Sequence, residues 1–276
     1  MEAIKLSIIV PVYNEKQVIE KTSHKILAAF HEFHDQMEIL FIDDNSPDGT
    51  AEEVLRVSKQ SPQVKLVQHG KKEGIGAAHR AGYESARGEY ILCIDADLSQ
   101  SPEDLLKIKN KLDEGYDLVI GSRYMTNGKQ FGKSPLRDIG SRGMNLLCRI
   151  LLGIKLTDCT HTFRGFRKKL FEDLSEKIHS KGHPSFQVEL SFWIANTSHK
   201  ITEIPIHFRE REEGVGVSKI SIQKEVPPFL RLLIKLFFKR FSLRANSSPP
   251  MCNVSPLDPP ATALLAATPF IASTPC

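Results

Sequence analysis

Hydrophobic residues along the first 124 positions form short continuous runs, separated by longer stretches in which they recur every three or four residues. A short apolar run predicts a strand buried on both faces, and the periodic stretches predict amphipathic helices. The alternation of the two predicts an α/β fold, a mostly parallel sheet flanked by helices with right-handed crossovers. The predicted strands cover residues 6–10, 38–42, 64–67, 90–94 and 118–124.

The pattern changes after residue 124. Residues 125–137 read as a loop containing glycine and lysine, residues 138–152 predict a helix, and residues 201–209 predict a final strand. Two further helices are predicted between these segments, one after Arg167 and one after Leu190. Residues 1–223 are therefore expected to form one domain.

Residues 224–244 predict a basic amphipathic helix, and we treat them as a separate segment. Charges interrupt this segment too often for the roughly 20 apolar residues that cross a bilayer, whereas a basic amphipathic helix suits the surface of an anionic membrane. Packing of the helix on the domain is the alternative, and the two are compatible. The expected basic face is Arg231, Lys235 and Lys239, and the expected apolar stripe is Leu230, Ile234, Phe237 and Phe241.

The tail over residues 245–276 is rich in proline, serine, threonine and alanine, and Asp258 is its only charged residue. This composition predicts disorder. The apolar patch over residues 261–267 is too short to span a membrane.

Composition and charge narrow the class of protein. With 276 residues, of which 41% are hydrophobic and 25% charged, the chain can bury a sizeable core. A net charge of +4 is too small to indicate nucleic acid, and no nucleic-acid partner is expected.

The five cysteines show no CxxC spacing, which favours reduced thiols, and the N-terminus has no leader pattern. We therefore expect a cytoplasmic location.

Carboxylates follow two of the predicted strands at the point where each strand ends. Asp43 and Asp44 follow the second strand, and Asp95 and Asp97 follow the fourth. The carboxyl ends of parallel strands meet at one edge of a sheet, where ligands bind, and carboxylates there suit a divalent cation that bridges to phosphate. For an isolated Asp-x-Asp, capping of the next helix by Asp97 or Ser99 is an equal alternative.

Three other features carry weaker signals. The loop over residues 43–50 has turn chemistry, and a tight capped loop is the alternative to a binding role; capping needs only one carboxylate, whereas this segment has two at the strand end and Asp48 in the loop. Gly74 and Gly76 open a helix, where they either contact phosphate or allow close packing on the sheet. The histidines lack metal-binding spacing and are expected to be hydrogen-bonded residues rather than ligands.

Five segments stand in order over residues 5 to about 240: Val10-Pro11-Val12-Tyr13-Asn14-Glu15, Asp43-Asp44-Asn45-Ser46-Pro47-Asp48-Gly49-Thr50, Asp95-Ala96-Asp97-Leu98-Ser99, Gly121-Ser122-Arg123-Tyr124 and Gly216-Val217-Ser218-Lys219. Together these segments resemble the dolichol-phosphate mannosyltransferase branch of the family 2 glycosyltransferases. The resemblance implies a GT-A-like fold of the nucleotide-diphospho-sugar transferases.

The resemblance also implies roles for individual residues. Catalytic roles fall on Asp95, Asp97 and Arg123, and the first two, with Ser99, would surround Mg²⁺ or Mn²⁺. Two departures affect this assignment: two extra residues separate Arg211 from Lys219, and Ser185 replaces a frequent lysine. The implied nucleotide-binding residues are Pro11, Tyr13, Glu15, Phe41 and Asp43, with Asp44 and Ala96 beside them, and the implied phosphate-binding residues are Arg123, Arg211 and Lys219.

The implied reaction is inverting, metal-dependent transfer of a hexose, mannose from GDP-mannose in the first instance, to a polyprenyl or dolichyl phosphate. An acceptor phosphate is already anionic at pH 7, so no general base is required. Transfer of glucose or N-acetylglucosamine from a UDP-sugar is one alternative, and a non-catalytic nucleotide-sugar-binding module is another. A lipid acceptor implies a peripheral enzyme on the cytoplasmic face of a membrane, with a membrane-anchored partner subunit as an additional option.

Overall fold

The computed structural model describes residues 3–68, 70, 72–132, 135–180, 185–197, 199–209 and 222–245. Nine strands and eight α-helices lie within these residues. The strands are β1 (Leu6–Val12), β2 (Met37–Asp43), β3 (Val64–Gln68), β4 (Tyr90–Cys93), β5 (Leu118–Ser122), β6 (Lys129–Phe131), β7 (Arg164–Arg167), β8 (Ile201–Pro205) and β9 (His207–Arg209). The helices are α1 (Ile19–Ala29), α2 (Thr50–Ser58), α3 (Ile75–Ser85), α4 (Pro102–Asp113), α5 (Pro135–Leu147), α6 (Lys168–Leu174), α7 (Phe186–Ala195) and α8 (Ile222–Ala245).

Seven of these strands form the central sheet, in the order β3-β2-β1-β4-β7-β5-β8. All neighbours are parallel except β7, which is antiparallel to both β4 and β5. The prediction of a mostly parallel sheet flanked by helices is therefore confirmed. A separate two-stranded parallel sheet pairs β6 with β9.

The antiparallel strand β7 was not predicted from the sequence. Its four residues, Arg-Gly-Phe-Arg, contain neither an apolar run nor alternation. At Gly165 a Cβ atom would lie 2.5 Å from Ile108 and 2.6 Å from Leu92, so glycine allows β7 to lie between its neighbours with α4 packed close to it.

Two apolar layers cover the two faces of the sheet. Helices α1, α2 and α4 bury their apolar residues with one set of strand side chains, and α3, α6, α7 and α8 do so with the other set. Strands β1 and β2 are almost continuously buried, as expected for parallel strands covered on both faces.

Strand register places the candidate residues at one edge of the sheet. Val12 at the end of β1 pairs with Asp43 at the end of β2, and Ile9 pairs with Cys93 at the end of β4. Since β7 is antiparallel to both β4 and β5, these two strands run in the same direction. The carboxyl ends of β1, β2, β4 and β5 thus lie on the same side.

Helix α8 packs on the domain and also exposes apolar side chains. Phe229, Leu233 and Leu236 are buried against the core. A second stripe on the same helix is between 41% and 67% exposed and consists of Leu230, Ile234, Phe238 and Phe241.

No helix within the described residues is long and apolar enough to cross a bilayer.

Candidate active site

The strands at the candidate edge end in tight turns that use the left-handed backbone region. Asn14 and Asn45 have φ angles of 55° and 60°, and Leu98 has a φ of 55°. Asparagine enters this region more readily than most residues, whereas a leucine there is an uncommon, strained residue. The backbone N–H of Asn14 donates to Ser46 Oγ at 2.9 Å, which joins the turn after β1 to the turn after β2.

The two carboxylates at the end of β2 accept hydrogen bonds from neighbouring backbone groups. Asp43 is fully buried, and its carboxylate accepts hydrogen bonds from the N–H of Ser46 at 3.1 Å and from its hydroxyl at 2.5 Å. Asp44 accepts from the N–H groups of Glu73 and Gly74, both at 2.8 Å. Asp44 therefore fixes the glycine-containing segment that begins α3 to the end of β2.

The remaining nucleotide-binding candidates differ in exposure. Tyr13 is partly exposed, and Lys72 Nζ lies 3.6 Å from the centre of its ring. Glu15 is nearly buried, and its N–H donates to Thr50 Oγ1 at 3.0 Å. Pro11 is partly buried, whereas Phe41 is fully buried in the core, so the Phe41 side chain does not reach the surface of the edge.

The Asp-x-Asp turn directly follows β4. The N–H of Leu98 donates to the carbonyl of Asp95 at 3.2 Å, and Ser99 donates to Asp97 Oδ1 from its N–H at 2.9 Å and its hydroxyl at 2.6 Å. Ala96 is buried, and its carbonyl accepts from Thr22 Oγ1. These bonds hold Asp95 and Asp97 on one rigid turn at the carboxyl end of the strand.

The carboxylate of Asp95 is held through both of its oxygens. Gln100 Nε2 donates to Oδ2 at 2.7 Å, and Thr162 Oγ1 donates to Oδ1 at 3.2 Å. The N–H of Asp95 also donates to Gln100 Oε1 at 3.2 Å. Gln100 has no exposed surface, so this amide is an internal support of the turn.

His161 lies beside this support and is 5% exposed. Its Nδ1 is 2.8 Å from the carbonyl oxygen of Gly121, and its Nε2 is 3.5 Å from Gln100 Nε2. Burial, reinforced by the positive charge of Arg123, lowers the pKa of His161 to about 3. The imidazole is therefore neutral at physiological pH, and the carbonyl contact places its proton on Nδ1.

Arg123 follows β5 and forms a buried bidentate ion pair. Its Nε is 2.7 Å from Asp158 Oδ2, and its second terminal nitrogen is 2.9 Å from Oδ1. The Arg123 side chain is 10% exposed and that of Asp158 is fully buried. Burial opposes ionisation of Asp158, but Arg123 outweighs it and lowers the pKa of this carboxyl. The expected phosphate-binding arginine thus has an internal partner.

Two further polar groups, the buried Asn145 and the partly buried Glu203, support Asp158. Asn145 Nδ2, on α5, donates to Asp158 Oδ1 at 3.3 Å. The N–H of Asp158 donates to Glu203 Oε1 at 3.0 Å, and the N–H of Thr157 donates to Glu203 Oε2 at 2.8 Å. Burial raises the pKa of Glu203, although these hydrogen bonds act in the opposite direction. Strand β8 and helix α5 thereby fix the loop that carries Asp158.

The donor set of the Asp-x-Asp turn fits a divalent cation. Asp95 and Asp97 offer hard carboxylate oxygens, which Mg²⁺ and Mn²⁺ prefer. Within the described residues, no group of three or more His, Cys, Asp or Glu side chains could hold a metal ion by itself. Two carboxylates on one turn suit a cation that takes its remaining ligands from a diphosphate, as Mg²⁺ commonly does in phosphate-transfer sites.

Several site residues were missed by sequence reasoning. Asp158, Thr162 and His161 belong to one segment that precedes β7, and Gln100 and Glu203 come from two other parts of the chain. A clustering of polar residues over 158–162 was the available signal, but the partners are 5 to 67 positions apart in sequence. Arg211 and Lys219 lie outside the described residues.

A cavity of about 330 Å³ lies elsewhere, between α7 and α8. Trp193, Leu236, Lys235 and Lys239 are among its lining residues, and none of the strand-end carboxylates contributes to it. The candidate site is therefore identified by its carboxylates and not by this cavity.

Known proteins resemble this chain in sequence and in fold. The family described as glycosyl transferase family 2 matches residues 7–175. A polyprenol monophosphomannose synthase of Mycolicibacterium smegmatis is 36% identical over 220 residues, which cover 78% of this chain and 80% of that protein. An undecaprenyl-phosphate mannosyltransferase of Micrococcus luteus is 36% identical over 217 residues, which cover 77% of this chain and 86% of that protein.

Two solved structures show the same fold at lower sequence identity. Glucosyl-3-phosphoglycerate synthase from Mycobacterium tuberculosis, in complex with Mn²⁺, UDP and glucosyl-3-phosphoglycerate, has a TM-score of 0.57 and 17% identity, over 92% of this chain and 82% of that one. S. aureus TarS in complex with UDP-GlcNAc has a TM-score of 0.58 and 19% identity, over 88% of this chain and 71% of that one. At these identities the likeness concerns the fold alone.

Proposed function

Because the chain belongs to glycosyl transferase family 2 and is therefore a glycosyltransferase, we propose that it transfers mannose from GDP-mannose to a polyprenyl or dolichyl phosphate. The observation that carries the proposal is the 36% identity to two proteins whose names join mannose to a polyprenyl phosphate, over at least 80% of each. The Asp-x-Asp turn at the end of β4 supplies the chemistry that such a transfer needs.

The proposed role of Asp95 and Asp97 is to hold Mg²⁺ or Mn²⁺ against the diphosphate of the donor. When bound, the cation would neutralise the charge that develops on the leaving nucleoside diphosphate. Gln100, Thr162 and Ser99 keep the two carboxylates in place through the hydrogen bonds described above. Ser99 thus supports Asp97.

The donor is proposed to lie along the ends of β1 and β2. Tyr13, Glu15 and Asp43 are polar groups at these strand ends, and Asp44 holds the glycine segment beside them. Because Phe41 is fully buried, its only proposed contribution is to support the strand beneath the nucleotide.

The acceptor phosphate is already anionic, so the chain need not supply a base for inverting attack on the anomeric carbon. Arg211 and Lys219 are proposed to bind phosphate groups. Arg123 is proposed to act mainly by fixing the loop after β5, because Asp158 engages two of its guanidinium nitrogens.

A lipid acceptor places the enzyme at a membrane, and we propose that α5 and α8 form the membrane-facing surface. The exposed stripe of α8 lies beside Lys235 and Lys239, which are also exposed. On α5 and the turn after it, Ile139, Leu146 and Ile150 are 68%, 53% and 64% exposed. Arg240 on α8 donates to the carbonyl of Leu151 at 2.9 Å, so the two segments are in contact.

Such a surface with both apolar and basic groups suits the headgroup region of an anionic membrane. It would also suit a membrane-anchored partner subunit. The proposed location is peripheral, on the cytoplasmic face.

The experiment that tests the proposal is a transfer assay with purified protein. It would supply radiolabelled GDP-mannose or UDP-glucose, a polyprenyl phosphate and Mn²⁺, and would measure the label extracted into organic solvent. We expect label from GDP-mannose to require the polyprenyl phosphate. Label from UDP-glucose alone would overturn the choice of donor, and label from neither, with correctly folded protein in the presence of membranes, would overturn the proposed reaction.

A further inference from the structure

Two buried polar side chains, Gln100 and His161, connect the carboxylate of Asp95 to the end of β5. Gln100 has no exposed surface and His161 is 5% exposed, so neither is well placed to contact a sugar directly. Burying polar groups is unfavourable unless they are hydrogen-bonded. The hydrogen bonds that these two side chains make therefore indicate what they do.

The orientation of the Gln100 amide follows from its partners. The backbone N–H of Asp95 can only donate, so the Gln100 atom 3.2 Å from it is the carbonyl oxygen Oε1. The amide nitrogen Nε2 then faces Asp95 Oδ2 as a donor at 2.7 Å. One side chain thus holds both the backbone and the carboxylate of Asp95.

His161 stabilises this orientation of the amide. The carbonyl oxygen of Gly121 can only accept, so the proton of the neutral imidazole is on Nδ1, 2.8 Å away. The other nitrogen, Nε2, then presents a lone pair to Gln100 Nε2 at 3.5 Å, a long contact. A flipped Gln100 would place its carbonyl oxygen against this lone pair, which is unfavourable.

We propose that Gln100 and His161 are positioning residues for Asp95, fixing the direction in which its carboxylate meets the divalent cation. This inference rests on the proposed function, because the cation and the nucleotide belong to it. Thr162 completes the arrangement by holding Oδ1 at 3.2 Å. Groups that orient a metal ligand typically account for about 10- to 100-fold in metal affinity.

The test is a calorimetric titration of the full chain with Mn²⁺ in the presence of GDP. We expect Gln100→Leu and His161→Phe each to weaken Mn²⁺ binding by about 10- to 100-fold. In the transfer reaction the Mn²⁺ concentration for half-maximal rate should rise, while kcat at saturating Mn²⁺ should change less. A purely structural role would lower the melting temperature without this selective change.

The matched control is His79→Phe. His79 is also a buried histidine, with 1% exposure and a pKa lowered to about 3 by burial, but its hydrogen-bonding contact is with Tyr83. Its substitution should leave Mn²⁺ affinity unchanged. His161→Asn, which keeps a donor for the Gly121 carbonyl, should fold and bind more tightly than His161→Phe.

The outcomes separate this inference from the proposed function. Wild-type affinity in folded Gln100→Leu and His161→Phe, or equal weakening in His79→Phe, would overturn the positioning role and leave the proposed reaction intact. Failure of the wild-type chain to bind Mn²⁺ with GDP would overturn the proposed metal site, and this inference with it.

Discussion

At the scale of single residues, burial fixes the charge of polar side chains in the interior of the domain. His79 and His161 both have a pKa lowered to about 3, by burial first and then by nearby arginines. Arg164 is fully buried and donates to the carbonyls of Cys159 and Gln187 at 3.2 Å. The interior therefore contains neutral imidazoles and an arginine whose partners are carbonyl oxygens and the hydroxyl of Ser191.

The buried histidines predict loss of stability in mild acid. Between pH 6.5 and about 3, the unfolded chain binds protons at these positions and the folded chain does not. The contribution of the two histidines to the free energy of unfolding is therefore fully present above pH 6.5. It falls as the pH is lowered, by up to about 1.4 kcal/mol per pH unit for each histidine.

Urea unfolding at pH 6.5, 5.5 and 4.5 would check this prediction. Glu203, whose pKa is raised by burial, acts in the opposite direction, so the comparison is between the wild type and His79→Phe. The variant should lose less stability per pH unit. Identical pH slopes for the two proteins would show that His79 does not titrate as its burial implies.

The ion pair between Arg123 and Asp158 predicts a large effect on stability. Asp158→Asn leaves a buried guanidinium without its charged partner, and breaking such a pair costs about 3–5 kcal/mol. Asp138→Asn is the control, because its partner Arg142 is 58% exposed and exposed pairs contribute at most about 1 kcal/mol. Equal unfolding free energies for the two variants would mean that the pair does not fix the loop.

Single-residue roles were only partly predictable. The carboxylates at the strand ends were visible in the sequence because they directly follow apolar runs. The binding of Asp44 to backbone amides and the pairing of Arg123 with Asp158 depend on contacts across 29 to 35 positions, which no local pattern encodes.

At the scale of elements, α8 combines two apolar stripes on one helix. The sequence predicted Leu230, Ile234, Phe237 and Phe241 as one stripe, whereas the structure exposes Phe238 and leaves Phe237 partly buried. The second stripe packs on the core. Removing α8 would therefore uncover part of the core and would not test membrane binding cleanly.

Substitutions on the exposed stripe test membrane binding without uncovering the core. We expect Ile234→Glu and Phe238→Glu to reduce sedimentation with anionic vesicles, and high salt to weaken the binding of the wild type, since each basic residue contributes about 1 kcal/mol at such a surface. Leu55→Glu is the matched control, because Leu55 is 50% exposed on α2. Equal sedimentation of all four proteins would assign the stripe to another partner.

Helix α3 approaches the sheet so closely that one of its glycines is required. A Cβ on Gly82 would lie 2.5 Å from Ile9 and 3.2 Å from Ile42, whereas one on Gly140 of α5 would meet nothing within 4 Å. Both glycines are helical, so alanine brings the same gain in helix propensity, about 1 kcal/mol. Only at Gly82 does overpacking oppose this gain, typically by about 1–3 kcal/mol.

We therefore expect Gly140→Ala to be neutral or stabilising and Gly82→Ala to be less stable than Gly140→Ala, as measured by urea unfolding. A Gly82→Ala variant as stable as Gly140→Ala would show that α3 can move away from the sheet without cost.

At the scale of the whole molecule, the five parallel strands β1 to β5 were predictable from the sequence, whereas the short strands β6 and β7 were not. Strands β1, β2, β3, β4 and β5 lie where apolar runs predicted them, since parallel strands covered on both faces leave that pattern. The short strands β6 and β7 lack it, and their pairing is set by distant contacts. The division at residue 223 stays a prediction, and residues 246–276 lie outside the described part.

We propose that the edge carrying Asp95 and Asp97 transfers a hexose from a nucleotide sugar to a lipid phosphate with the help of a divalent cation. The most direct measurement compares the Mn²⁺-dependent rate of lipid-linked mannose formation in the wild type and in Asp97→Asn, with the melting temperature of each. An amide is a far weaker ligand for a divalent cation than a carboxylate, so the rate should fall by roughly 100-fold or more at an unchanged melting temperature. A near-normal rate in both Asp97→Asn and Asp95→Asn would show that these carboxylates do not hold a cation that the transfer needs.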